Sequence, residues 1–339
     1  MNQEIKKYTQ PNISLIAIAY NLEDYIGECL NSLTNQTHKS IEIIVVDDGS
    51  TDSTLSKIQA IAQTDCRLRV LSQKNQGPNS ARENGLKIAK GKYVQFIDGD
   101  DWLALDACEK LYQKAEEGKA DVILFHAQRI YPDKQISPLM GFHKKTRYRH
   151  PFKEFAMNTY DHPIYLKFIH RVFLFDNNIS FPAKITYGDD TTFSALFYLH
   201  SPHINFLDEF IYCYRQRTKG NSHDLQGFIN DMNKVINILK SIKASKFNQE
   251  IEDYANYLIL SYMATFYYRA LLAKREDIAS LLADRILKEK IFIASHIQHP
   301  SPLRWLIYQI YNHFPQFLLT IHKIRAFIRG LYKRDRMEE

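Results

Sequence analysis

Cysteine is scarce in this sequence and shows no pairing pattern. Cys29, Cys66, Cys108 and Cys213 are scattered and form no CxxC. That excludes a disulfide framework and a zinc site as first expectations and agrees with a reducing compartment. Long hydrophobic runs are missing too, so no segment reads as a bilayer span. The start, Met1 to Gln10, is too polar for a secretory leader, and a cytoplasmic protein is the expectation. No charge sign dominates: 44 Lys and Arg against 38 Asp and Glu leave +6, too mild a bias to signal nucleic-acid binding. Neither GxGxxG nor GxxxxGK[ST] occurs, which removes support from dinucleotide and P-loop readings. There is no internal repeat and no low-complexity tract.

What is present suits an ordinary folded chain. The 339 residues are 45% hydrophobic and 24% charged, enough for one large domain or two smaller ones. Aromatics are abundant, with 21 Tyr and 20 Phe. Such rings suit carbohydrate faces and membrane interfaces, and they also fill cores.

The first 126 residues alternate between two patterns. Apolar runs at Ile13–Ala19, Ile41–Val46, Leu68–Leu71, Tyr93–Ile97 and Val122–His126 read as strands. Helical spacing appears at Asp24–Leu33, up to Ala62 behind a capping turn at Asp47–Ser53, at Ser80–Ala89 with Gly91 as its stop, and at Leu105–Glu117. Strands alternating with helices predict an α/β fold, a doubly wound, mostly parallel sheet flanked by helices. In such sheets ligands bind beyond the carboxyl ends of the strands. Tyr20-Asn21, Asp47-Asp48 and Asp98 to Asp101 all fall there. The stretch Asp98-Gly99-Asp100-Asp101 concentrates three carboxylates, a costly arrangement that Mg2+ or Mn2+ shared with a diphosphate would relieve. A solvated acidic turn is the plain alternative for that stretch alone.

Together these stretches resemble the family 2 glycosyltransferases, inverting enzymes of the GT-A fold that use nucleotide sugars. The resemblance runs from Ile13 to Asp224. It rests on Ser14–Ile26 (SLIAIAYNLEDYI), Ile43–Ser53 (IIVVDDGSTDS), Asn75–Leu86 (NQGPNSARENGL), Gly91–Trp102 (GKYVQFIDGDDW) and Gly188–Phe193 (GDDTTF). It implies that Tyr20, Asn21 and Glu23 border the nucleotide base and that Asp48 accepts from uracil N3–H. It places Arg82 near the nucleotide sugar, Asp98 toward the ribose, Asp100 on the metal, and Asp190 as catalytic base. Two departures stand out. Ile18 replaces a common proline, and Asp189-Asp190 replaces the usual Glu-Asp, which leaves open which aspartate serves.

The chemistry needs these groups. A metal at Asp100 neutralises the nucleoside diphosphate leaving group. A carboxylate on the opposite face takes the acceptor hydroxyl proton, and a single direct displacement inverts the anomeric centre. A retaining route would need a second, nucleophilic carboxylate, for which the sequence offers no separate candidate.

The remaining expectations concern the acceptor side and the tail. Residues 1–126 form the donor half of the GT-A domain, 127–224 the acceptor and base half, and 225–339 a helical region. The basic run Phe142–His150 either meets a phosphate on a lipid-linked acceptor or is a solvated loop. His170 and Arg171 either approach the diphosphate or form a helix-surface pair. Arg215, Arg217 and His223 are further candidates to close over the diphosphate or metal. Helices are expected at Phe228–Ile242, Ile251–Ala273 and Ile278–Ile291, their aromatics packing a core. Within 316–334, Phe317, Ile321, Ile324, Ile328 and Leu331 recur at helical spacing among Lys323, Arg325, Arg329, Lys333 and Arg334. That basic amphipathic helix either packs on the protein or contacts an anionic membrane, at the inner face of the cytoplasmic membrane.

The function expected is inverting, metal-dependent transfer from a nucleotide sugar, UDP-linked, to a surface-glycan or lipid-linked glycan acceptor, with Mn2+ or Mg2+ as cofactor. A nucleotidyltransferase is a competing class, but it would show a Gly-rich basic loop after the first strand, where this chain has Tyr20-Asn21-Leu22-Glu23. A non-catalytic sugar-nucleotide or partner-binding module is the third.

Overall fold

Continuous burial of β-branched and aromatic residues produces the central strands of the computed structural model, which describes residues 10–142, 150–157, 163–217, 225–244 and 249–289. The chain forms two compact units, Met1–Pro151 with Asn158–Asn221, and Phe152–Met157 with Ser222–Glu339.

The first unit opens with β1 (Ile13–Ala19), α1 (Ile26–Thr34), β2 (Ile41–Asp47), α2 (Thr54–Ala62), β3 (Leu68–Ser72), α3 (Pro78–Ile88) and β4 (Tyr93–Asp98). Every residue of β2 is buried, whereas β3 at the edge alternates toward solvent. Helix α1 buries Ile26, Cys29, Leu30 and Leu33, the spacing of one helical face. Helix α3 ends at Ile88, short of Gly91. Gly91 is required by packing instead of by termination: a Cβ there would lie 2.4 Å from the Ser14 backbone nitrogen. Ser53 precedes α2 without a capping side-chain bond. Its N–H donates to Glu23 Oε2 at 3.0 Å, and the Thr54 N–H donates to Asp52 Oδ1 at 2.9 Å.

Next come β5 (Trp102–Leu103), α4 (Ala107–Gly118), β6 (Val122–Ile130), β7 (Ile136–Leu139), α5 (Pro151–Ala156), a 3-10 turn (Ile164–Leu166), β8 (Lys167–His170), α6 (Arg171–Asp176), α7 (Asp189–Leu199) and β9 (Ile204–Arg215). Among the described residues, nine strands form one sheet in the order β3-β2-β1-β4-β8-β6-β9-β5, with β7 beside β6. The expected parallel winding holds for β3-β2-β1-β4. Beyond it the sheet is mixed, because β8 inserts antiparallel between β4 and β6. The register matters most at the rim. Ala19 lies opposite Asp47 and Ile18 opposite Asp98, so three strands end at one level.

In the second unit the described helices are α5, α8 (Leu225–Ala244), α9 (Gln249–Leu272) and α10 (Glu276–Glu289). Tyr257, Tyr262 and Tyr267 are buried, and Phe228 packs on Tyr262 with ring centroids 5.1 Å apart. The aromatic middle of α9 is therefore core. No described helix is long and apolar enough to cross a membrane. The amphipathic segment 316–334 lies outside the described residues.

Candidate active site

One arginine joins two carboxylates from separate elements. Asp98 ends β4, and Arg82 projects from the buried face of α3. Asp189 and Asp190 occupy the first turn of α7, entered through Gly188 at φ 88°, a left-handed conformation that suits glycine. Arg82 donates from Nη2 to Asp98 Oδ1 and from Nη1 to Asp189 Oδ2, both at 2.8 Å. The guanidinium fork is the shape that serves two carboxylates at once. Arg82 is 5% exposed, so its charge acts through little water.

The two aspartates of α7 are thereby made unequal. Burial raises the affinity of both for a proton, while Arg82 opposes that at Asp189. Among the described residues no arginine is hydrogen-bonded to Asp190, and the Arg82 charge opposes its burial only at a distance. Burial, and then the Asp189 charge, push it up to about 7. Its Oδ1 accepts from the Ile164 N–H at 3.0 Å.

The acidic turn is fastened on its far side by β9. The Gly99 N–H donates to the Ile18 carbonyl at 2.9 Å, and Asp101 is fully buried. Asp101 Oδ2 accepts from the Tyr212 hydroxyl at 2.7 Å, and Oδ1 accepts from the Arg215 N–H at 2.8 Å. Arg215 Nε donates to the Asp100 carbonyl at 2.8 Å, Nη2 pairs with Glu28, and the guanidinium stacks 4.6 Å from the Trp102 centroid. Arg217 Nε meets Asp100 Oδ2 at 2.9 Å. Burial and then the charge of Asp98 raise the proton affinity of Asp100, which Arg217 opposes. Arg215 and Arg217 thus lie at the acidic turn. His223 lies outside the described residues, as does 143–149 of the basic run.

His170 and Arg171 are not brought to this rim. His170 pairs with Tyr93, the first residue of β4, and Arg171 donates through Nε to the Gly91 carbonyl at 2.7 Å. Five residues of strand separate that edge from Asp98, about 16 Å. The antiparallel run of β8 carries them away from the carboxyl ends, so their assignment to the diphosphate is corrected.

The residues expected to border the base also differ in where they lie. Tyr20 is 48% exposed at the rim. Asn21, at φ 52°, accepts through Oδ1 from the Thr51 N–H at 2.8 Å, and Glu23 Oε2 accepts from the Ser53 N–H. These two side chains join the loop after β1 to the loop after β2. Asp48 is buried. Its Oδ1 accepts from Gln73 Nε2 at 2.8 Å and the Gln76 N–H at 2.9 Å, and its Oδ2 accepts from the Gly77 N–H at 2.8 Å. A carboxylate has about four acceptor positions, so one remains.

Sequence reasoning named Asp101 only as a member of the acidic cluster and missed Tyr212, Gln73 and Ile164. Tyr212 and Tyr214 alternate in a run that is β9, and that period of two was the available signal. The Ile164 contribution is a backbone N–H, which no residue type announces.

Among the described residues, no three His, Cys, Asp or Glu side chains converge to hold a metal by themselves. Asp100 nevertheless fits a hard cation. Mg2+ typically takes one or two protein carboxylates and completes its shell with substrate phosphate and water. The like-charge cost between Asp98 and Asp100 is what such an ion relieves.

Comparison with known proteins finds glycosyltransferases. The family model "Glycosyl transferase family 2" matches residues 14–176. The uncharacterized glycosyltransferase EpsJ of Bacillus subtilis is 31% identical over 212 residues, 61% of each chain. The poly(ribitol-phosphate) beta-glucosyltransferase of Bacillus spizizenii is 30% identical over 251 residues, 70% of this chain and 38% of that one. The present chain therefore spans less than two thirds of either relative. The crystal structure of S. aureus TarS in complex with UDP superposes with a TM-score of 0.55 at 24% identity, covering 74% of this chain and 70% of that one, and shares its fold. The segment 14–176, which delivers the acidic rim, belongs to glycosyl transferase family 2.

Proposed function

We propose that the protein is an inverting glycosyltransferase that moves a sugar from a UDP-linked donor to a hydroxyl of a surface-glycan or lipid-linked glycan acceptor. The observation that carries this reading is the Arg82 bridge, which holds Asp98 of the acidic turn and Asp189 of α7 on one guanidinium. Donor-side and base-side carboxylates then face one site, as a single displacement requires.

The residues divide the work. Tyr20 offers a ring to the base, and Asp48 retains one acceptor position for a base N–H. Asp98 faces the ribose. Asp100 would hold Mn2+ or Mg2+, which when bound neutralises the diphosphate as a Lewis acid. Arg215 and Arg217 add positive charge beside that leaving group. Asp190 takes the acceptor proton. With a proton affinity near 7 it is partly ionised at neutral pH and basic enough to act. Asp189 is committed to Arg82, which favours Asp190 as the base and leaves no nucleophilic carboxylate for a retaining route.

The acceptor class draws on the relatives. One is named as a glucosyltransferase acting on poly(ribitol phosphate), and TarS was crystallised with UDP. Between Ser301 and Met337 there are seven basic residues and one acidic, and 316–334 adds peripheral contact with an anionic leaflet near a lipid-linked acceptor.

A panel of nucleotide sugars assayed for hydrolysis and transfer, with and without Mn2+, tests the reading. UDP release from one UDP-sugar supports it. Pyrophosphate release from a nucleoside triphosphate and a sugar phosphate would instead establish a nucleotidyltransferase. Binding of a UDP-sugar without turnover would establish a non-catalytic module.

A further inference from the structure

We infer that Tyr212 and Tyr165 form a buried tie that fixes the acidic turn and the base carboxylate in one geometry, making both of them positioning residues. The inference rests on the reading above for its catalytic consequence, though the tie itself is a property of the fold.

The path is continuous. The Tyr212 hydroxyl donates to Asp101 Oδ2 at 2.7 Å and accepts from the Asp98 N–H at 3.2 Å. One phenol thereby holds the backbone of the first carboxylate and the side chain of the third. Asp100 lies between them, its own side chain held by Arg217 instead. The Tyr212 ring stacks on Tyr165, with centroids 4.6 Å apart and planes 15° from parallel. Tyr165 follows Ile164, whose N–H donates to Asp190 Oδ1 at 3.0 Å. The Tyr165 carbonyl in turn accepts from Gln95 Nε2 of β4 at 2.8 Å. The Asp190 carboxylate, the 3-10 turn, the stacked rings and the acidic turn thus form one closed circuit that returns to β4.

Burial gives the circuit its stiffness. Tyr212 and Asp101 are fully buried and Tyr165 is 8% exposed. A buried hydroxyl with both a donor and an acceptor partner is costly to remove, because each partner is left unsatisfied. A second route runs through Arg82, which hydrogen-bonds Asp98 and Asp189, while Asp101 and Asp190 take their hydrogen bonds on the tyrosine path.

Hydrogen exchange on the full chain separates a tie from two independent local contacts. Tyr212→Phe keeps the ring stack and removes the hydroxyl. Tyr165→Leu keeps the Tyr212 hydroxyl and removes the stack. The expected result is that either substitution speeds exchange at the Asp98 amide and at the Ile164 amide together, each by roughly tenfold or more. A Tyr212→Phe protein in which Asp98 exchanges faster while Ile164 is unchanged would overturn the tie. Tyr131→Phe, outside the circuit, should leave both amides as they are. Kinetics give a second readout: Tyr212→Phe lowers the melting temperature, and the tie predicts that it also lowers kcat, with KM little changed, at temperatures where the variant is still fully folded. Absence of any transferase activity in the unaltered protein would refute the functional reading and leave the exchange result to decide the tie by itself.

Discussion

Replacing Arg82 by Gln should destabilise the first unit in a pH-dependent way. The side chain of Arg82 is 6% exposed, and it compensates Asp189 at 14% and Asp98 at 29%. Breaking a buried pair from one side costs about 3–5 kcal/mol, because a charge is left buried without a partner. Water screens part of the Asp98 contribution, so about 3 kcal/mol is expected in all. For a unit of this size that lowers the melting temperature by roughly 6–12 °C. The pH dependence follows from Asp189, which holds its proton more tightly folded than unfolded even with Arg82 present. Without the guanidinium that affinity rises further. A carboxylate raised in the fold keeps full stability below its unfolded value and loses it as pH rises through the folded one. The gap between variant and unaltered protein should therefore be narrow near pH 5 and wide near pH 8. Thermal unfolding followed by circular dichroism at both pH values measures it. A gap equal at the two pH values, or near zero at pH 8, would refute the buried-bridge reasoning. Arg82→Lys should recover only part of the loss, since one ammonium cannot reproduce a fork.

Asp190→Asn should lower kcat by orders of magnitude while UDP affinity, measured by calorimetry, stays within a few-fold; Asp189→Asn should be the milder change. In the unaltered protein kcat/KM should rise with pH through about 7, because the base acts when deprotonated, and a flat profile from pH 6 to 8 would remove Asp190 from that role. Arg217→Gln should tighten Mn2+ binding to the UDP complex, since Arg217 Nε holds the same Asp100 oxygen a cation would use, and calorimetry showing weaker Mn2+ binding would count against Asp100 as the ligand. The full chain should float with anionic liposomes at low salt and release at high salt. Lys323→Glu, Arg325→Glu and Arg329→Glu together should abolish flotation, at about 1 kcal/mol per basic residue lost.

The fold was legible wherever a strand was buried on both faces. Ile13–Ala19 and Ile41–Asp47 are continuous apolar runs, and the structure begins and ends them where those runs do, within a residue. Helices α8 and α10 were legible from their period, each hiding one face, whereas α9 was legible from its length and apolar content, with Tyr257, Leu258, Ile259 and Leu260 buried in succession. Strands β8 and β9 were not. Lys167 opens β8 and is fully buried, its Nζ donating to the Pro163 carbonyl at 2.8 Å, so a core strand begins with a residue type that reads as surface. Asp208 and Glu209 interrupt β9 in the same way. The position of β8 between β4 and β6 depends on pairing across the chain, which periodicity does not encode.

The site shows the same division between residue type and partner. Carboxylates at strand ends announced themselves, because charge at the rim of an apolar sheet has few structural uses. Their roles depended on partners remote in sequence. Asp189 and Asp190 are adjacent and chemically identical, and nothing local distinguishes them. Arg82 reaches Asp189 across 107 positions, which favours Asp190 in the proposed role, while the Ile164 N–H reaches Asp190 across 26. His170 and Arg171 show the converse. Their types suited a diphosphate, but an antiparallel strand delivered them to the edge where β4 begins. In this fold, residue type nominates a catalytic group, and the direction and register of its strand decide whether it serves.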